Sequence, residues 1–145
     1  MRPLTVQWQF WALLSAGFAA LTAIFGKVGV ETINPDLATL IRTIVIALLL
    51  TLILAATGGF QSPDSISFRS SVFLALSGLA TGASWICYFR ALKLGQASQV
   101  APIDKLSVVL VAAFGVAFLG ERLSAINWLG ILLVAAGALL VAHRP

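Results

Sequence analysis

Five apolar stretches, each long enough to cross a bilayer, constrain this sequence more than any other feature. They lie at about residues 7–28, 35–57, 68–92, 98–119 and 124–142. The hydrocarbon core of a bilayer is about 30 Å thick and a helix rises about 1.5 Å per residue, so about 20 apolar residues span it. The sequence therefore predicts an all-α integral membrane protein with five transmembrane helices.

The amino-acid composition agrees with a membrane protein. Hydrophobic residues make up 60% of the 145 residues and charged residues only 10%, whereas about 25% of the residues in soluble domains are charged. The short connections leave room for a single domain, residues 1–145, and the basic residues form no stripe of the kind that binds nucleic acid. We expect no cofactor or metal, because the single cysteine, Cys87, lies in an apolar run and the single histidine, His143, follows the last one.

Local signals predict where several of these helices begin. Asn34 is a good N-cap before Pro35, which suits the first position of a helix, and Gly58 follows the end of the same helix. Ser98 is the expected N-cap of the fourth helix, which would place Pro102 in the first full turn, where proline is tolerated. Alternatively, Pro102 loosens the start of that helix so that backbone groups face a polar pathway, as in the broken helices of carriers.

Charged residues are distributed unequally between the two ends of the helices. Threading the helices up and down places loops 1–2 and 3–4 with the C-terminus on one membrane side, face B, and the other loops with the N-terminus on face A. Face B receives Lys27, Glu31, Asp36, Arg42, Arg90, Lys93, Asp104, Lys105 and Arg144. Face A receives Arg2, Asp64, Arg69, Glu121 and Arg122. When Arg42 and Lys105 are left out as intramembrane residues, face B has four cations and face A has three, which is a weak signal for orientation.

Two opposite charges fall inside the predicted spans at a similar depth. Arg42 lies six residues after Asp36, and Asp104 lies equally far into the fourth helix, which places both about 9 Å deep. A carboxylate there costs up to a few kcal/mol unless it is paired, protonated or hydrated. We therefore expect Asp104 to face a cavity, to pair with Arg42 or Lys105, and to be the candidate for proton coupling, with Glu121 as its rival. Snorkelling of the cations and stabilisation of the acid by the helix dipole are the simpler alternatives.

A stripe of small and polar side chains follows one face of the third helix. Its members recur at spacings of four, three and four: Ser77, Thr81, Ser84 and Tyr88. Trp85 flanks this stripe, and Ser15 and Thr22 share a face of the first helix. If these faces line a substrate pathway, Trp85 supplies a stacking surface and Tyr88 a hydroxyl.

Glycine pairs give an alternative explanation of the same region. Gly78 and Gly82 form a small-xxx-small pattern on the third helix, and Gly130 and Gly137 share one face of the fifth. Such patterns let two membrane helices approach closely. The sequence therefore predicts helix packing at these four glycines, and close packing could also account for the polar stripe.

Three segments of the sequence carry a family resemblance. They read YFRALKLGQASQVAPIDKLS, FLGERLS and NWLGILLVAAGALLVA. They are similar to the EamA-type repeat of the drug/metabolite transporter superfamily, in which "yyAL" closes the third helix, "vapl" opens the fourth, "lGE" closes it and "iGa.li..G" fills the fifth. The front half also resembles the repeat, through Ile24-Phe25-Gly26-Lys27 and Arg42.

The resemblance implies residue correspondences and an architecture. Gly120 and Glu121 match the "GE" pair and Arg42 matches the second-helix arginine, while the "yyAL" segment corresponds to Tyr88, Ala91 and Leu92. Asp104-Lys105 departs from the family pattern, which is mostly apolar there. Most relatives resemble two repeats fused into ten helices, the second half inverted, with the substrate cavity between the halves. A single repeat therefore implies an antiparallel homodimer.

Taken together, these features predict a secondary carrier for small metabolites or drugs in the inner (plasma) membrane, and not an enzyme. Its partners would be the lipid bilayer, a small-molecule substrate and a second antiparallel copy, and clusters of Arg42, Asp104 and Lys105 would form two gates. One alternative is a non-transporting membrane subunit or scaffold that packs with a partner protein. The small multidrug resistance family also uses short dual-topology chains, but its coupling acid lies in the first helix, and residues 7–28 contain none.

Overall fold

The computed structural model describes residues 8–143, whose regular structure is entirely helical. The helices are α1 (Trp8–Gly29), α2 (Pro35–Thr57), α3 (Phe68–Leu94), α4 (Ala97–Asp104), α5 (Ser107–Leu119) and α6 (Ala125–Ala142). A short 3-10 turn, Pro63–Ser65, lies between α2 and α3. The all-α prediction is confirmed over these residues. The predicted helix start at Gln7 and the predicted face charges Arg2 and Arg144 lie outside them.

Within residues 8–143, five helical segments are long and apolar enough to cross a membrane. Four are α1, α2, α3 and α6, and the fifth consists of α4 and α5 together, Ala97–Leu119. No more than 11% of the apolar part of any span is buried inside the chain. Side chains of this kind need lipid or another protein around them, because water would hydrate them poorly. The chain is thus a multi-pass protein in contact with the bilayer.

The described chain divides into two compact units. One comprises residues 8–27 and 94–143, and in it α4 and α5 both pack on α6. The other is Val28–Lys93. Its helices α2 and α3 run antiparallel, because residues early in α2 contact residues late in α3. Phe89 and Leu92, near the end of α3, are among the few buried apolar side chains of the described residues.

The ends of α2 follow the predicted capping chemistry. The Asn34 side chain accepts hydrogen bonds from the N–H groups of Asp36 and Leu37, and Pro35 is the first helical residue. At the other end Gly58 adopts a left-handed conformation with φ +65°, which a glycine reaches without a steric penalty. The predicted N-cap at Asn34 is therefore confirmed.

The start of the fourth span corrects one prediction. The N-cap position belongs to Gln96, which makes no side-chain capping bond, and the helix begins at Ala97, so Ser98 is not the cap. The capping prediction failed because a serine favours an N-cap without fixing its position. Here Ala97, the residue before Ser98, already has helical conformation.

The same span is interrupted after Pro102. α4 ends at Asp104 and α5 begins at Ser107. Across the junction the backbone N–H groups bond to carbonyls three residues back, as they do in a 3-10 helix, and the donors are Lys105, Leu106, Val108 and Val109. Pro102 has no N–H and its ring crowds the Ser98 carbonyl, so it removes one α-helical bond from α4, three residues before the first of these donors. Of the two interpretations that the sequence left open, the structure has the interrupted helix.

Tight turns connect α5 to α6. Gly120 adopts φ +69°, and the N–H groups of Gly120 and Glu121 both donate to the Gly115 carbonyl. Ser124 then caps α6 by accepting the Asn127 N–H, and the two side chains also hydrogen-bond. The helix therefore begins at Ala125, one residue after its predicted start.

Candidate substrate site and gate residues

The guanidinium group of Arg42 lies against two aromatic rings of α3. Its Cζ is 3.8 Å from the centroid of the Trp85 ring and 5.3 Å from that of Phe89. Cation–π attraction extends to about 6 Å from a ring centroid, so both contacts are within range and the Trp85 contact is well inside it. The antiparallel course of α2 and α3 produces this contact, because it brings residues near the start of α2 beside residues near the end of α3.

Phe89 is a member of this cluster that the sequence analysis did not single out. It is nearly fully buried, with 3% of its surface exposed. The signal for it was present, since Phe89 lies four residues after Trp85 and such residues share a helix face. We call Arg42, Trp85 and Phe89 the Arg42 cluster.

The Arg42 guanidinium lies beside α3 at about the level of its own position along α2. The residue follows the first residue of α2 by seven positions, about 10 Å from that helix end. Trp85 and Phe89 lie nine and five positions before the end of α3, about 14 Å and 8 Å in. Because the guanidinium packs on these rings, it remains at about the depth of its own backbone. The snorkelling alternative for Arg42 stays a prediction.

The ends of α2 and α3 at face B are joined by charged side chains. Arg90 donates two hydrogen bonds to Asp36, from Nε at 3.0 Å and from Nη2 at 2.8 Å, and Lys93 Nζ donates to the Ile33 carbonyl at 2.7 Å. Such bidentate pairs are geometrically specific, although both side chains are about half exposed, so solvent screening keeps the contribution of the pair to stability small. The sequence analysis placed these charges on one face but did not pair them.

In the other unit, Lys27 at the end of α1 makes a comparable bond. Its Nζ donates to the Gly95 carbonyl at 2.8 Å in a partly buried position. Gly95 lies in the loop that follows α3. The bond therefore fixes the end of α1 to the start of the interrupted fourth span.

Asp104 is the last residue of α4 and lies directly at the break. Lys105 Nζ donates to Asp104 Oδ2 at 3.3 Å, and the two side chains are 56% and 37% exposed, respectively. Charged hydrogen bonds are usually 2.7–2.9 Å long, so this one is weak. The carboxylate of Asp104 is thus half-buried and only loosely held. The predicted pair of Asp104 with Arg42 would join the two units and stays a prediction.

Glu121, the second candidate carboxylate, folds back on the end of α5. A Cβ atom added at Gly115 would lie 2.6 Å from Glu121 Oε2, so the carboxylate occupies the space beside this glycine. Glu121 as a whole remains exposed. Its position after the left-handed Gly120 is determined by the turn that ends α5.

The polar stripe of α3 is mostly at the surface of the chain. Ser77, Thr81 and Ser84 are exposed, and Tyr88 is half-buried. The Thr81 hydroxyl donates to the Ser77 carbonyl at 2.8 Å, so one stripe hydroxyl is used within its own helix. On α1, Ser15 is exposed and Thr22 half-buried.

The four predicted packing glycines are open in the single chain. A Cβ atom added at Gly78, Gly82, Gly130 or Gly137 would meet no heavy atom within 4 Å. Within residues 8–143 no atom lies close to these positions, and packing there stays a prediction that would involve another molecule.

Multiple apolar spans, with charged side chains inside two of them and a break in one, are typical of membrane transport proteins. The chain belongs to the EamA-like transporter family, which matches residues 6–143. It is 67% identical over 135 residues to a protein from a Sinorhizobium species named "Uncharacterized transporter in cobO 3'region", and the match covers 93% of this chain and 96% of the other. No solved structure matches it. The resemblance to the EamA-type repeat is thereby confirmed, and the protein is a membrane transporter for small molecules.

Proposed function

We propose that the protein is a secondary carrier that moves small metabolites or drugs across the inner membrane by alternating access. The observation that carries this proposal is the break in the fourth span, where α4 ends at the half-buried Asp104. In carriers, interrupted helices expose backbone and charged groups to substrate or coupling ion, and ionisable residues inside spans mark such pathways.

The working unit in this proposal is an antiparallel homodimer. The family match covers one repeat of five spans, and the Sinorhizobium relative, 96% of which is matched, has room for one repeat as well. A symmetric cavity between inverted halves then needs a second copy in the opposite orientation. The open glycines of α3 and α6 are suitable surfaces for close contact with that copy.

The two gates would lie at opposite membrane faces of the dimer. Each copy brings one set of face-B groups: the Arg42 cluster, Asp104 with Lys105, and the Asp36–Arg90 ion pair. In an antiparallel pair one set is near each side of the membrane. Opening one set while the other stays closed alternates access to a central site. The weak hydrogen bonds and exposed ion pairs at these positions cost little to break.

Orientation is the property to measure first. In a Cys87→Ser background, single cysteines replace Thr32, in the exposed loop between α1 and α2, or Gln61, in the exposed loop between α2 and α3. The two loops lie on opposite sides of the membrane. We expect an impermeant thiol reagent to label part of each variant in intact cells and the remainder after permeabilisation, because both orientations coexist.

A single orientation gives a different result. One reporter would then be labelled completely and the other not at all. That outcome would contradict the antiparallel homodimer. A symmetric cavity would then need a different partner chain of opposite orientation.

Asp104 is the proposed proton-coupling group. We expect Asp104→Asn to remove the pH dependence of transport, because the amide cannot exchange a proton. Transport is measured in proteoliposomes with a compound whose level in cells or medium changes when the chain is expressed. Asp64→Asn is the matched control, since it removes a carboxylate in an exposed loop. Full activity of Asp104→Asn with an unchanged pH profile would exclude this role and leave Glu121.

A further inference from the structure

We infer that the Arg42 cluster is an anion-binding site and that the transported substrate carries an oxyanion, either a carboxylate or a phosphate. The term substrate rests on the proposed carrier function, whereas the anion site stands on the geometry of α2 and α3 alone. The inference follows from three observations on residues 28–93. The guanidinium is held by aromatic rings, no acid of this unit pairs with it, and an unpaired charge inside a span is costly.

The aromatic contacts leave the hydrogen-bonding edge of Arg42 unused. Cation–π attraction acts on the face of a ring, and Trp85 provides such a face at 3.8 Å from Cζ. The five N–H donors of a guanidinium lie in its plane and point outward from its edge. Within Val28–Lys93 no hydrogen bond from Arg42 to an acceptor is formed. The ring therefore holds the cation in place while none of its donors is bonded within Val28–Lys93.

No carboxylate of the same unit neutralises this cation. Residues 28–93 contain three acids: Glu31, Asp36 and Asp64. Asp36 is occupied by Arg90 through two hydrogen bonds. Glu31 lies in the loop before α2, and Asp64 lies in the 3-10 turn beyond the opposite end of α2. Arg42 thus differs from Arg90, whose charge already has a partner.

A guanidinium inside a span is costly when no acid of its own unit lies beside it, and a cation–π contact returns only part of that cost. A carboxylate or phosphate accepts two parallel N–H bonds from arginine, in a geometry that lysine does not reproduce. An oxyanion is therefore the ligand that completes this site, and a cationic substrate would be repelled by it.

Trp85 makes the site directly observable, because its fluorescence reports quenchers that reach Arg42. The protein has four tryptophans, and replacing Trp8, Trp11 and Trp128 by phenylalanine leaves Trp85 as the single emitter. Quenching by iodide, an anion, is compared with quenching by neutral acrylamide in maltoside micelles. We expect the ratio of the iodide to the acrylamide quenching constant to fall about threefold or more in Arg42→Gln, because the local anion concentration is lost.

A matched control separates the site from the overall charge. Arg69→Gln removes the same charge from an exposed arginine whose Cζ lies 5.9 Å from the Phe73 ring, at the limit of cation–π attraction. It should leave the quenching ratio of Trp85 unchanged. Sodium acetate should protect Trp85 of the wild type from iodide more than sodium chloride of equal ionic strength does. If Arg42→Gln does not fold, Arg42→Lys tests the two parallel N–H donors instead. Acetate should then protect Trp85 from iodide less than it does in the wild type, because lysine lacks this pair of donors.

Two results would overturn the inference. One is an equal quenching ratio in the Arg42→Gln, Arg69→Gln and unsubstituted single-tryptophan proteins. The other concerns the source of the oxyanion: if phosphatidylglycerol added to the micelles abolishes the iodide preference, the site holds a lipid headgroup and not a substrate. Persistence of the preference with lipid supports the substrate. The quenching measurement does not depend on transport. If it supports the anion site while thiol labelling shows a single orientation, only the proposed antiparallel dimer is contradicted.

Discussion

Three lysines added to the loop between α2 and α3 should place that loop on the cytoplasmic side in most copies of the protein. The substitutions are Gln61→Lys, Ser62→Lys and Asp64→Lys, all at exposed positions. They raise face A from three cations to six against four on face B. Lys and Arg in short loops determine the orientation of a membrane protein, so a nearly balanced chain should respond strongly to this change.

The reporter for this change is the cysteine that replaces Thr32, on the opposite face. Its labelling from outside intact cells should rise from partial to nearly complete. The control carries Gln61→Glu and Ser62→Glu, with Asp64 retained, and should leave the labelled fraction as it was, because acidic residues contribute little to orientation. A labelled fraction that does not move with the lysines would mean that the charge balance does not set the orientation, and the dual-topology proposal would lose its basis.

Arg42→Gln should abolish transport while the protein still inserts. Truncating one partner of a desolvated charge pair costs about 2–5 kcal/mol, so the loss should be about 30-fold or more. The measurement compares metabolites in cells and medium, by untargeted mass spectrometry, between cells that express the chain and cells that do not. The compounds that differ should be anionic at neutral pH, and the difference should disappear in Arg42→Gln.

Arg69→Gln serves as the control for this comparison as well. It should preserve the metabolite difference, because Arg69 lies in the first turn of α3 and outside the Arg42 cluster. A set of transported compounds that is cationic, or a difference that survives Arg42→Gln, would contradict the anion site. No difference between expressing and non-expressing cells would contradict the carrier itself.

The spans were predictable because lipid imposes one dominant requirement on them. A helix that satisfies its own backbone and presents about 20 apolar residues is specified by composition and length, without knowledge of its neighbours. The cap at Asn34 was predictable for the same reason, since its hydrogen bonds are local. The exact start of α4 and its end at Asp104 were not, because Pro102 permits either a tolerated first turn or a break.

The site was less predictable, because it depends on which side chains meet. The sequence placed Arg42, Trp85 and Asp104 in one pathway. It did not show that Arg42 contacts Trp85 and Phe89, because a contact between residues so far apart in the chain depends on the rotation of α2 against α3. The same limit applies to the Asp36–Arg90 pair. Periodicity gives the face of each helix, while the partner of that face comes from packing.

The 3-10 bonds at the junction of α4 and α5 have a mechanical consequence. A 3-10 helix rises about 2.0 Å and turns about 120° per residue, whereas an α-helix rises about 1.5 Å and turns about 100°. Conversion of the two residues between the helices, Lys105 and Leu106, to α-helix would therefore shorten the fourth span by about 1 Å and rotate α4 against α5 by about 40°. Because Asp104 is the last residue of α4, such a screw-like step would swing its carboxylate around the helix axis relative to α5.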